Sequence, residues 1–201
     1  MLTTLPNLLT LSRIAAIPLV IVTFYLAPPL GPWLGCVIFS LAGLTDWLDG
    51  KVARAWSQQS ELGRFLDPIA DKLLVATTLF MLAVFDRFSA FAVPAALVIL
   101  MREILVSGLR EHLAYMRVRM EVSRLAKWKT FVQMLAIGVL LVGDAGPNWL
   151  PVRIIGEVML WCAAAFTVKT GYDYLHAGLI HINRPDPKTP SIKTANSGNA
   201  A

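Results

Sequence analysis

Two stretches decide how this chain is read. The first is Thr45-Asp46-Trp47-Leu48-Asp49-Gly50-Lys51-Val52-Ala53-Arg54, and after an eight-residue spacer comes Gly63-Arg64-Phe65-Leu66-Asp67-Pro68-Ile69-Ala70-Asp71. Each lies at the edge of a strongly apolar segment. On a helix advancing about 100° per residue, Asp46, Asp49, Gly50, Ala53 and Arg54 share an arc of about 140°. Gly63, Asp67 and Asp71 share a face in the same way, within about 80°. A short connection is expected to make the two helices antiparallel neighbours, so that four aspartates converge between them.

Without compensation that convergence is unfavourable. Two carboxylates ~5 Å apart at an effective dielectric of ~20 repel by roughly 3 kcal/mol, and a charge within a bilayer adds ~2.5–3.5 kcal/mol on insertion scales. Arg54 alone does not neutralise four acids. Divalent cations do, and an all-carboxylate ligand set suits Mg²⁺ or Mn²⁺ and not Zn²⁺. Two such ions sharing Asp46, Asp49, Asp67 and Asp71 are expected. Gly50 and Ala53 leave room for a ligand on the acid face, and Arg54, one turn on, is placed to pair with a phosphate. A lone aspartate at a helix end is usually a cap; four acids, two glycines and an arginine within one short apolar window are not explained by packing.

The rest of the chain supplies the setting. Of 201 residues, 56% are hydrophobic and 15% charged, against ~25% charged in ordinary soluble domains. Mean hydropathy is +0.62. This excludes a disordered chain and makes a membrane protein the leading class. Two cysteines, Cys36 and Cys162, exclude a disulfide scaffold. Residues 14–45 carry no formal charge, and Pro28-Pro29-Leu30-Gly31-Pro32 divides them by a turn. The pattern predicts an all-α polytopic fold of six transmembrane helices, at about 8–27, 33–55, 63–85, 90–113, 128–142 and 152–178. Residues 1–180 form the expected catalytic domain, and 181–201 a polar, disordered cytoplasmic tail.

Of the 18 Lys and Arg, only Arg87 and Arg153 fall at loops on the far side. The positive-inside rule therefore places both termini and the acidic site in the cytoplasm. The net charge of +5 then reflects topology and anionic lipid, with no nucleic-acid partner. No basic region precedes the first apolar stretch, so no cleaved signal peptide is expected.

The spacing Asp-x2-Asp-Gly-x2-Ala-Arg-x8-Gly-x3-Asp-x3-Asp resembles the signature of the CDP-alcohol phosphatidyltransferases, and every position of it is present: Asp46, Asp49, Gly50, Ala53, Arg54, Gly63, Asp67 and Asp71. The resemblance implies CDP-diacylglycerol as donor and CMP as leaving product. It implies metal binding by Asp46, Asp49 and Asp67, with Asp71 near the metals as general base. It also implies contact of Gly50, Ala53 and Arg54 with the cytidine diphosphate part, and a homodimer in a bacterial cytoplasmic membrane. Gly63 lets the third helix approach closely. Neither half of the motif contains His or Cys, which disfavours a covalent phosphatidyl-enzyme.

The signature leaves the acceptor open. Six cations lie between residues 110 and 129, opposed by Glu111 and Glu121. Arg102, Arg110, Lys127 and Lys129 are expected to form an anion pocket beside the metals, suited to a phosphorylated acceptor. The segments Pro6-Asn7-Leu8-Leu9-Thr10-Leu11-Ser12-Arg13, Arg102-Glu103-Ile104 with Ser107 and Arg110, and Lys127-Trp128-Lys129-Thr130 resemble the branch of the family whose acceptor is sn-glycerol 3-phosphate. Asn7, Thr10 and Arg13 lie within about 120° on the first helix. Asn7 and Thr10 are expected on the donor side and Arg13 on the acceptor phosphate. Competing expectations are another acceptor on the same fold (phosphatidylglycerol, an inositol phosphate or serine) and a divalent-cation transporter that uses the acids as its pathway.

Overall fold

The structure, a computed structural model, describes residues 5–56, 61–116 and 124–182. Within these, the side chains of 5–9, 46–56, 61, 62, 64, 65, 124 and 180–182 lie outside the description. The expected tail beyond 182 lies outside it too. Among the described residues there are six α-helices: α1 (Leu5–Thr23), α2 (Leu30–Trp56), α3 (Glu61–Val84), α4 (Val93–Tyr115), α5 (Arg124–Val142) and α6 (Val152–Ile182). Two short 3₁₀ turns, Ala90–Ala92 and Gly143–Ala145, precede α4 and follow α5.

Helix boundaries differ from the sequence expectation where local chemistry intervenes. α2 starts at Leu30, inside the segment read as a turn. Pro32 falls in its first turn, where the missing N–H has no intrahelical partner to lose. α1 ends at Thr23, and the chain leaves it through i→i+3 bonds from Phe24, Tyr25 and Leu26. α3 closes with the Arg87 amide on the Leu82 carbonyl at 2.8 Å and Asp86 at φ 50°. This is the left-handed exit that Asp tolerates better than most side chains. α5 starts at Arg124, four residues early, and α6 runs on through Gly178, which serves packing: a Cβ there would lie 2.8 Å from Leu109.

The core is one apolar cluster, including Val20, Phe39, Leu79, Leu82, Ile99, Ile137, Leu140 and Leu160, drawn from all six helices. α5 packs on α6, α4 on α6, and α2 on α5. The expected convergence of the acidic ends of α2 and α3 falls on α2 side chains outside the description. Among the described residues both pack chiefly on α1, and they touch each other only slightly. The reason is the buried stripe of α1, Thr10, Arg13, Ala16, Val20 and Thr23. Its three- and four-residue spacing gives the helix a continuous contact face.

Many large apolar side chains point outward, among them Met101, Ile104, Phe131, Leu135 and Ile154. Among the described residues two segments are long and apolar enough to cross a membrane, Ala90–Tyr115 and Leu125–Ala145; the apolar stretches Thr10–Thr23 and Leu30–Thr45 are shorter. At one end of the bundle Glu157 accepts hydrogen bonds from the Ser89 amide and hydroxyl at 2.6 and 2.7 Å. Trp33 donates to the Ala145 carbonyl at 3.2 Å. These bonds tie the connections before α4 and after α5 to their neighbours.

Candidate active site

Two of the four signature aspartates have described side chains, and α1 holds both. The Thr10 hydroxyl donates to Asp67. The Arg13 guanidinium pairs with Asp71 at 2.7 Å. The partners advance together along the two helices, so α1 and α3 run parallel, with one rung per turn. Arg13 is 1% exposed whereas the Asp71 carboxylate is 41% exposed. A buried guanidinium requires an ionised partner, and Asp71 supplies it. Gly63 is buried at the start of the same helix. The backbone of α2 carries Asp46, Asp49, Gly50, Ala53 and Arg54 on its last turns. Their side chains, and that of Asn7, lie outside the described residues.

A second polar group joins α4, α5 and α6. Lys129, 2% exposed, donates to Glu103, and Arg102 reaches the same carboxylate at 3.3 Å. Arg102 also donates to the Thr170 hydroxyl at 3.2 Å and lies 5.6 Å from the centre of the Tyr174 ring. Gly171 makes this possible, because a Cβ there would sit 3.0 Å from Arg102 Cγ. Lys72, the residue after Asp71, acts electrostatically on both Glu103 and Lys129, so this cluster borders the aspartates. Three buried atoms in this region have no hydrogen-bond partner among the described residues: Arg102 Nε, Gln133 Oε1 and Thr167 Oγ1.

The expected four-cation pocket is therefore divided. Arg102 and Lys129 come together around Glu103. Arg110 and Lys127 are exposed and form no ion pair with it. Arg110 lies eight residues, about 12 Å of helix rise, beyond Arg102. Lys127 is two residues from Lys129 and so points about 200° away. Thr167, Thr170, Gly171 and Tyr174 escaped the sequence reading. Their signal was present as a polar and small stripe at i, i+3, i+4 and i+7 of one helix.

Whether carboxylate-bound metal suits the site is answered by its donor chemistry. Asp67 and Asp71 offer hard oxygen donors one turn apart, which fits Mg²⁺ or Mn²⁺. Among the described residues no group of three His, Cys, Asp or Glu side chains gathers to hold an ion.

Six helices with outward-facing apolar side chains, an acidic motif and a buried cationic cluster define an all-helical bundle. The family model for CDP-alcohol phosphatidyltransferase matches residues 3–169, and the chain belongs to that family. Among its relatives is the CDP-diacylglycerol–glycerol-3-phosphate 3-phosphatidyltransferase of Rickettsia bellii, 49% identical over 173 residues, covering 86% of this chain and 94% of the relative. Proteins of the same name from Pectobacterium atrosepticum and Cereibacter sphaeroides are 42% and 35% identical, covering 86% and 89% of this chain and 93% and 96% of their own length. The fold matches the crystal structure of Mycobacterium tuberculosis phosphatidylinositol phosphate synthase in complex with manganese and citrate. The TM-score is 0.62 at 20% identity, over 90% of this chain and 85% of that one.

Proposed function

We propose that this chain transfers the phosphatidyl group of CDP-diacylglycerol to sn-glycerol 3-phosphate, yielding phosphatidylglycerophosphate and CMP. The observation that carries the acceptor is the set of relatives bearing this name, up to 49% identical across nearly their whole length. The complete aspartate signature supports the donor.

In this reading an acceptor hydroxyl oxygen attacks the phosphorus of the phosphatidyl group, the P–O bond to the CMP leaving group breaks, and Asp71 takes the hydroxyl proton. Asp46, Asp49 and Asp67 would hold the divalent ions, Mg²⁺ or Mn²⁺ and two in number. Bound there, such ions polarise the pyrophosphate and offset charge on the departing CMP. Gly50, Ala53 and Arg54 take the cytidine diphosphate portion, with Asn7 and Gly63 framing it. Arg102 and Lys129 offer positive charge to the acceptor phosphate from within the bundle, where a guanidinium fork fits phosphate oxygens. Arg110 and Lys127 lie outward, placed to draw anionic acceptors and lipids by charge.

The six helices are read as six spans in a bacterial cytoplasmic membrane, with both termini and the site on the cytoplasmic side and the enzyme a homodimer. The acidic site combined with a phosphate-binding element favours transfer over cation transport.

The test is an acceptor panel with purified chain, CDP-diacylglycerol and Mn²⁺. CMP release should require glycerol 3-phosphate and fail with serine, an inositol phosphate or phosphatidylglycerol. Release with one of those, and not with glycerol 3-phosphate, would reassign the acceptor.

A further inference from the structure

We infer that Arg87 holds the phosphate of a membrane phospholipid in a shallow cleft at the end of the bundle opposite the aspartates. The inference is independent of the transfer reaction and rests on the reading of the helices as membrane spans. Arg87 lies just beyond α3, whose last residue, Val84, is about 20 Å of helix rise from Asp71. The cleft measures about 160 Å³, counting the part open to solvent. Thr23 and Phe24 line it from the end of α1, Gly31 and Pro32 from the start of α2, and Leu141 from α5, with Arg87 as its one cation. Two glycines shape it. At Gly31 a Cβ would lie 2.4 Å from the Thr23 carbonyl oxygen, so only glycine lets α2 begin this close to α1. Gly143 has φ 46°, and a Cβ there would lie 3.8 Å from Arg87 Nη1, so the arginine runs beside bare backbone.

The charge in this cleft is uncompensated. Arg87 is half-buried, yet its guanidinium makes no ion pair or hydrogen bond among the described residues. Arg153, the other cation at this end, pairs with Glu157 at 3.5 Å. Asp86 and Asp144, next in sequence to Arg87 and Gly143, are exposed, and neither pairs with Arg87. A guanidinium fork fits two phosphate oxygens. The remaining walls, Phe24, Pro32 and Leu141, are apolar and offer a free phosphate nothing, whereas the glycerol and first methylenes of a lipid pack on them. The rim agrees. Exposed Tyr25 stands edge-on to Phe85 at 5.2 Å, and exposed Trp33 has its indole N–H fixed on the Ala145 carbonyl. Such rings belong at headgroup level on an apolar bundle. An unpaired cation, apolar walls and an aromatic rim coincide here, and the ligand that satisfies all three is a phospholipid.

The test titrates the full chain in uncharged detergent, with EDTA present, with phosphatidylglycerol and counts bound lipid by native mass spectrometry. Arg87→Gln should bind its tightest lipid about fivefold or more weakly than wild type, and Arg87→Lys, which keeps charge without the fork, should fall between. Diacylglycerol with the same chains should bind both proteins alike. Amide hydrogen exchange over residues 24–31 should slow about threefold or more with phosphatidylglycerol in the wild type and not in Arg87→Gln. CMP release by Arg87→Gln should stay within about twofold of wild type, since the cleft is remote from the aspartates.

Equal phosphatidylglycerol binding by wild type and Arg87→Gln would overturn the proposal. So would an equal loss with diacylglycerol, which makes the cleft merely apolar, or equal slowing of exchange by glycerol 3-phosphate alone, which makes it a site for free phosphate. If Arg87→Gln does not fold, exchange in the wild type decides: slowing over residues 24–31 with phosphatidylglycerol and not with diacylglycerol supports the site, and its absence refutes it. A wild-type chain that does not enter nanodisc bilayers contradicts the membrane reading and the lipid occupant together. One that enters them but shows no dependence on Arg87 refutes the lipid site alone.

Discussion

Glu103→Gln is the sharpest probe of how the α4–α5–α6 cluster is held. Glu103 accepts from buried Lys129 and lies 3.3 Å from Arg102, and Lys72 adds a third nearby cation. One carboxylate thus pairs with two positive groups. At an effective dielectric of ~20, a single ion pair ~4 Å apart is worth about 4 kcal/mol. Removing one partner of a buried pair costs about 3–5 kcal/mol, because the other charge is stranded. Glutamine keeps an acceptor oxygen for Lys129, which places the expected loss near the lower bound, about 3 kcal/mol. Lys129→Met should cost much less, about 1 kcal/mol, since Glu103 retains Arg102 and the methionine refills the space. The double variant should cost about 2 kcal/mol, less than Glu103→Gln alone, where simple addition gives about 4 kcal/mol; the coupling is then about 2 kcal/mol. Equilibrium unfolding in mixed micelles, followed by helix circular dichroism, measures all four corners of this cycle. A loss within about 0.5 kcal/mol of zero for Glu103→Gln, or no coupling in the double variant, would refute the reasoning.

Other outcomes follow from the same geometry. Gly171→Ala sets a methyl against Arg102 Cγ at 3.0 Å and should raise KM for glycerol 3-phosphate several-fold by displacing the guanidinium, with little change in KM for CDP-diacylglycerol; initial rates over both substrates check this. Ser89→Ala removes the hydroxyl bond to Glu157 and should lower stability by about 1 kcal/mol while leaving turnover at wild-type level, as thermal unfolding and CMP release together will show. Asp71→Asn should nearly abolish CMP release and lower stability, since it removes the charged partner of buried Arg13; helix content and elution volume check that the assayed variant is folded. Stripping divalent ions with EDTA should stop turnover, and added Mg²⁺ or Mn²⁺ should restore it; Zn²⁺ should not, since the donor set is all oxygen.

Much of the helix order was legible because it is written in local chemistry. Long apolar runs broken by Pro28-Pro29 and by the charged or glycine-rich connections near Arg87 and Gly146 place six helices within a few residues of those observed. The signature spacing was equally legible, since it depends on helical periodicity alone. Helix pairing was not. The short connection between α2 and α3 suggested that they lie side by side, yet among the described residues the buried stripe of α1 takes most of the contact with both. Which of several apolar faces wins is a question of summed packing that periodicity does not encode. The same limit applies to Arg13, whose ion pair with Asp71 was not legible from its charge alone. Residue type gives charge, but the neighbour that compensates it comes from another helix. Arg102 and Arg110 show the converse error: similar angular positions on one helix do not bring together groups separated along its axis.

The most direct measurement is incorporation of labelled glycerol 3-phosphate into lipid by the full chain reconstituted in vesicles with CDP-diacylglycerol and Mn²⁺. The account predicts label in the organic phase in one-to-one ratio with CMP released, and neither product without the divalent ion. Label that stays in the aqueous phase, or Mg²⁺ entry into the vesicles in the absence of CDP-diacylglycerol, would contradict it.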